Sequence, residues 1–529
     1  MARLTASVIA AVSSGGNLVG EVSVRIVRST LGGLCVLVLL GLHAAAQAAP
    51  LGTEDARHLL TRSGFAPSEA EVRQYAGLSR DEAVERLLRA TRTEAKAQPP
   101  AWVNDEFERP KVKDMTPEER KEYQRTLAVR GFDLRAWWMS EILTTPSPLT
   151  ERMTLFWHNH FVSSLQKVRV PHAMYRQNVL LRHYALGNFG SMLHAVAKDP
   201  AMIIYLDAAT NRKGAPNENF AREVMELFTM GEGHYSEQDI KEAARAYTGW
   251  SLEQRTVDFR WRPFFHDDGV KTVLGKSGNF DGDAVLDILL AQPATAEFIV
   301  KKMWMEFVSP DTDAPANRAE IARIAAQFRG SHYEIKTALS GIFNSPRFWA
   351  PENRAVLVKS PVELVAGVVR QLGVGYGDPL PFVYATASLG QNLMAPPNVR
   401  GWPGGDVWIN STTLLGRKQF IERLMRVDVM REPANDLQLP AEGGMINMRR
   451  NEGEKIQGAA RTGAEGRERL MRAAASIQVD SQKYLAQFSG SLPLTQALLP
   501  GAPANPLPSD LAGPPLLKAL LLDPMYQLK

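Results

Sequence analysis

The sequence predicts a mainly α fold: one large helical domain with at most a small β-hairpin and a loose glycine-rich insertion. Three observations carry this. Apolar residues recur at helical spacing, i, i+3 and i+4, through most of the chain. Helix-start signals stand between those runs, a Ser, Thr, Asp or Asn followed by Pro or by acids. Alternating apolar and polar residues, the mark of a half-buried strand, are scarce.

Residues 1–48 read as a signal peptide. Arg25 and Arg28 precede an apolar run from Leu31 to Leu42, and Ala46-Gln47-Ala48 fits an A-x-A cleavage site before Ala49. The run falls short of the ~20 apolar residues that a membrane span needs. Cleavage is therefore expected, with a periplasmic or secreted product and no stable membrane span. The only cysteine, Cys35, lies inside this signal. A mature chain without thiols has no disulfides, thiol catalysis, Fe–S clusters or thiolate zinc sites. The signal holds three Arg and one Glu, so the mature chain keeps +2 of the formal +4. So small a charge, with both signs interspersed, argues against a nucleic-acid partner.

Residues 49–430 read as the helical core domain. Thr116-Pro117-Glu118-Glu119 starts a helix: a cap, a proline in the first turn, and acids beside the positive helix end. Ser147-Pro148 opens another, with Met153, Phe156, Trp157, His160 and Phe161 on one stripe. Ala215 to Trp250 gives two amphipathic helices around a glycine turn. Thr256 to Phe264 is the strand candidate, because Val257, Phe259 and Trp261 alternate with polar residues. Asn279-Phe280-Asp281-Gly282 is a turn signal before the apolar run from Ala284 to Ala291. Lys359-Ser360-Pro361 starts a helix through Leu372, and Asn410-Ser411 caps one from Thr412 to Met425. Residues 431–469, glycine-rich and charged, read as a flexible insertion. Residues 470–529 read as a C-terminal helical segment that packs back on the core.

Four stretches could carry chemistry. Asn219, Arg222, Glu223 and Glu226 share one helix face. Glu223 and Glu226, at i and i+3, can converge on a cation or share a proton; a plain helix-face pair between Arg222 and Glu226 would also explain them. Asn217 to Asn219 supply the helix cap. In FWHNHF, His158 and His160 are two apart, which separates them by ~200° on a helix. The bland reading is a buried His160 and a polar-face His158. HDDG, from His266 to Gly269, follows the strand candidate; His266 and Asp267 can ligate a metal, orient a base, or only close a turn. GWPGGDVW, from Gly401 to Trp408, is a loop that brings backbone and two tryptophans to a ligand or plugs the core. Gly275-Lys276-Ser277 ends like a P-loop, but Val270 stands where the first glycine belongs.

These stretches, with ARHLLTRSGFAPS, LAQPATAEFIVKKMW and MAPPNVRGWPGGDVWINSTTLLGR, resemble the bacterial family called domain of unknown function 1800. The similarity runs from about Asp55 to the C-terminus, and Glu442 to Glu465 departs from the usual pattern. The resemblance implies an exported, mainly helical protein and no particular activity. It also implies, as partner, an exported sulfatase-like protein of the family numbered 1501. Two readings stand. The first is a metal-assisted enzyme: His158, His160, Glu223 and His266 hold a divalent transition metal such as Zn, Mn, Fe or Cu, and Glu223, Glu226, His266 and Asp267 do the acid–base work. The second is a non-catalytic envelope assembly or scaffold protein whose polar clusters are structural.

Overall fold

The structure is a computed structural model that describes residues 49–430, 464–488 and 494–529. Residues 1–48, read as a signal peptide, and residues 431–463, read as insertion, lie outside the described residues. Residues 464–469, read as insertion, belong instead to the helix Ala464–Ala475, where Arg469 pairs with Asp133 and Asp378, both at 2.7 Å. Pro50–Lys529 gather into one compact unit. Among the described residues no helix is long and apolar enough to cross a membrane.

The fold is mainly α. Its longer helices include Pro117–Thr144, Pro148–His160, Pro171–His183, Pro293–Phe307, Pro315–Gly330 and Pro361–Leu372. Each opens on a proline, whose fixed φ suits the first turn and whose missing N–H is not needed there. Local chemistry sets the starts where the sequence places them. Thr116 and Glu119 form a capping box, as do Ser360 and Glu363. Asp281 accepts from the Ala284 N–H and Asn410 from the Thr413 N–H.

The Pro148–His160 helix runs through the core, and every residue from Leu149 to His158 is buried. It therefore has no polar face, and its charges are neutralised inside. Glu151 accepts from Arg182 Nε at 2.5 Å, Arg182 Nη2 at 2.9 Å and Trp138 Nε1 at 3.0 Å. Arg152 pairs with Glu306 and, at 2.6 Å, with Glu363. Glu363 also pairs with Lys529, and the backbones of Leu357 and Lys529 bond to each other. The last residues thus close the core beside the Pro361–Leu372 helix.

Two small antiparallel hairpins interrupt the helices. Trp250–Leu252 (β1) pairs with Phe259–Trp261 (β2), Ser251 opposite Arg260. The strand is shorter than the expected 256–264 because Val257 takes a left-handed φ of 63°. Lys271–Val273 (β3) and Lys276–Gly278 (β4) form a second hairpin that the sequence did not announce. Its turn, Leu274-Gly275, has φ of 49° and 76°, the primed geometry that hairpins favour. Leucine is no signal for that turn, and the Leu274 N–H is held by the Asp239 carboxylate at 2.7 Å.

Candidate functional site

Glu218–Glu223 is α-helical, and Val224–Thr229 then widens into a π-helix. Asn217 caps the start, its Oδ1 accepting from the Asn219 N–H at 3.0 Å. The Thr229 hydroxyl donates to the Val224 carbonyl at 2.7 Å, five residues back. Such π turns are rare and concentrate at functional sites. Here the turn breaks the 3.6-residue spacing beyond Glu223, so the expected Arg222–Glu226 pair does not form. Arg222 reaches Glu237 through both terminal nitrogens at 2.8 Å, and Glu218 at 3.5 Å. Glu226 turns to the Tyr235 hydroxyl and to Arg400, both at 3.0 Å.

Arg400 immediately precedes the glycine-rich loop Gly401 to Trp408. The same loop docks on the end of FWHNHF. The Trp402 N–H donates to Asn159 Oδ1 at 2.7 Å, and the Trp402 ring lies 5.6 Å from that of His158. Gly401 makes this approach feasible: its φ is +88°, and a Cβ there would stand 2.3 Å from Asn159 Oδ1. FWHNHF, the glutamate face and the glycine-rich loop therefore meet in one place. Glu223 is half-buried there. Burial and then the neighbouring Glu226 push its carboxyl upward, against the pull of Arg400.

His160 and His266 are committed elsewhere. His160 Nε2 is 3.1 Å from the Phe228 carbonyl and Nδ1 is 2.9 Å from Lys302 Nζ. His158 is buried, not on a polar face, and packs edge-on against Trp138 at 5.2 Å. Burial holds its ring down at about 3. In HDDG, His266 Nδ1 donates to the Thr248 carbonyl at 2.9 Å. Asp267 is gripped by Arg245 at 2.9 and 3.1 Å, which lowers its carboxyl to about 2. HDDG is thus anchored to the Glu237–Ala246 helix, and its bonds do not run to Glu223 or to FWHNHF.

His158, His160, Glu223 and His266 are consequently not drawn into one ligand shell. His160 has both ring nitrogens engaged, one by an ammonium, and His266 sits on a separate turn. Among the described residues no group of three or more His, Cys, Asp or Glu side chains could hold a metal ion. The sequence reading missed Asn159, Tyr235, Lys302 and Arg400. Lys302 alone left a trace, a lysine four residues after Phe298 on a largely apolar helix.

The family described as "Protein of unknown function (DUF1800)" matches residues 58–528, and the chain belongs to it. No curated protein and no solved structure matches the chain.

Proposed function

We propose that this DUF1800 protein is an exported hydrolytic enzyme whose proton chemistry lies on Glu223 and Glu226. One observation carries the reading: two neighbouring carboxylates occupy unlike settings on either side of an α-to-π junction. Glu223 has its pKa raised, and among the described residues no hydrogen bond or ion pair holds its carboxyl. Glu226 is tied between Tyr235 and Arg400. Paired carboxyl groups with divergent environments divide the roles of acid and base. Glu223 is the proton donor, Glu226 the partner held by Tyr235 and Arg400, and Arg400, which is exposed, meets the substrate. Export is supported by the Arg25 to Ala48 pattern. A metal-assisted form of this chemistry would keep only Glu223 and Glu226 as protein ligands.

The test compares wild type, Glu223→Gln and Glu226→Gln on chromogenic glycosides, esters and phosphoesters. Turnover of one class, reduced ~100-fold or more in both variants, is expected for acid–base catalysis. Turnover that survives both substitutions removes the reading.

The second reading is an envelope assembly protein that works with a sulfatase-like partner of the family numbered 1501. The observation in its favour is that the surrounding charges already neutralise one another: Arg400 with Glu226 and Glu232, Arg222 with Glu237, Arg245 with Asp267. A structural network has this form. Wild type that turns over none of the three substrate classes, yet co-purifies with that partner, would favour it.

A further inference from the structure

A cavity of about 420 Å³ opens between the Gly52–Ser63 helix, residues 495–503 and the chain's last two residues. Arg57, His58, Arg354, Lys359 and Lys529 line it, and Glu54 is the one acidic side chain among the described residues that does. The Glu54 side chain is 87% exposed and lies 3.6 Å from Arg354, a separation at which an exposed pair contributes little. Leu498, Leu499 and Pro500 give the opposite wall an apolar surface.

The wall holds more positive charge than it neutralises. Arg57 pairs with Glu69, Arg354 with Asp55, and Lys529 with Glu363. Lys359, though buried, makes no ion pair among the described residues; its Nζ donates to the Tyr526 carbonyl at 2.7 Å and lies 3.8 Å from the centre of that ring. Among the described residues Arg62 bonds to the carbonyls of Phe307, Val308 and Asn353 and makes no ion pair. Arg417 bonds to Gln527 and to the Lys359 carbonyl. Glu363 is the carboxylate all three feel, and Arg152 and Lys529 already share it. Buried cations without counter-charge are costly.

From this geometry we infer that the cavity binds a small organic anion, its phosphate, sulfate or carboxylate group among Arg57, Lys359 and Lys529 and its apolar part against Leu498 and Leu499. Arginine and lysine make their strongest hydrogen bonds to such oxyanions. The site is separate from the Glu223 face and does not depend on the reaction proposed there.

The experiment is calorimetric titration and thermal denaturation of the mature protein with inorganic phosphate, sulfate and benzoate. At least one should bind with one-site stoichiometry and raise the melting temperature. Preference for benzoate identifies a carboxylate ligand, preference for phosphate or sulfate a phosphoryl or sulfuryl one; either supports the site. Lys359→Met should weaken binding by about tenfold or more. Because Lys359 is buried, Thr495→Glu supplies a control that leaves the interior intact. It sets a carboxylate on the cavity lining and should abolish binding while the circular dichroism spectrum stays that of wild type. No binding of any of the three at ~10 mM, a level that would still reveal millimolar affinity, would overturn the inference. So would undiminished binding in Thr495→Glu.

Discussion

His160 sits between an ammonium and a carbonyl, with Lys302 Nζ 2.9 Å from Nδ1 and the Phe228 oxygen 3.1 Å from Nε2. A carbonyl only accepts, so Nε2 carries the proton and Nδ1 accepts from Lys302; the tautomer is assigned by its partners. Burial, and then the Lys302 charge, hold the ring well below the ordinary histidine range. Burial also lowers Lys302 to about 8.

His160 should therefore stay neutral, in its Nε2–H form, across ordinary buffers. Lys302→Met should move its titration upward while burial keeps it below the ordinary value. Long-range ¹⁵N–¹H spectra read both. An Nδ1–H tautomer in wild type would contradict the assignment.

Glu151 and Arg182 form a buried pair, each side chain 1% exposed. Glu151→Gln should cost roughly 3–5 kcal/mol, because an uncompensated guanidinium remains inside. The double variant Glu151→Gln/Arg182→Met should recover much of that loss, and urea denaturation of all three proteins measures it. With Arg182→Met alone completing the cycle, a double-variant loss equal to the sum of the two single losses would mean that the pair is not coupled.

Asp199 gives a pH signature. Burial raises its carboxyl from 3.8 to about 7, although Gln177 Nε2 donates to it at 2.9 Å and the Met202 N–H at 3.1 Å. Between these values the native state holds a proton that the unfolded chain has lost. This group's contribution to stability therefore falls as pH rises from about 4 to about 7. Asp199→Asn should flatten that slope by about one proton and stabilise the protein above pH ~7 by a few kcal/mol. Denaturant midpoints across that range check it; a slope unchanged by the substitution would refute it.

Gly401→Ala should cost more than the ~1 kcal/mol of a left-handed alanine, because the new methyl meets Asn159 Oδ1 and the Asn159 carbonyl. Asn159→Ala should relieve part of that excess. Thermal melts of the two single variants and the double variant separate the side-chain clash from the backbone strain.

What was legible in the sequence was local. Thr116 with Glu119 and Ser360 with Glu363 lie three residues apart, so the code for each helix start is contained within one turn. The mainly α class followed from many such signals. The site was legible in its segments and not in its pairings. Arg222 and Glu226 were set together by a 3.6-residue period that the π turn cancels. His158 was given a polar face on a helix that tertiary packing encloses on every side. Arg400 meets Glu226 across 174 positions, a separation that no local pattern encodes.

Glu363 and Lys529 stand 166 positions apart. A chain delivered from its N-terminus at ~5–20 residues per second offers Glu363 roughly 8–33 s before its lysine exists. Throughout that interval Arg152 is the only one of its two cations at hand, and the edge beside Leu357 that the last residues cover stays bare. This part of the native interior is thus closed by a residue made 166 positions after the glutamate it pairs with. Until then the Glu363 carboxylate has one of its two ion-pair partners, and the backbone of Leu357 lacks the bonds that Lys529 later makes.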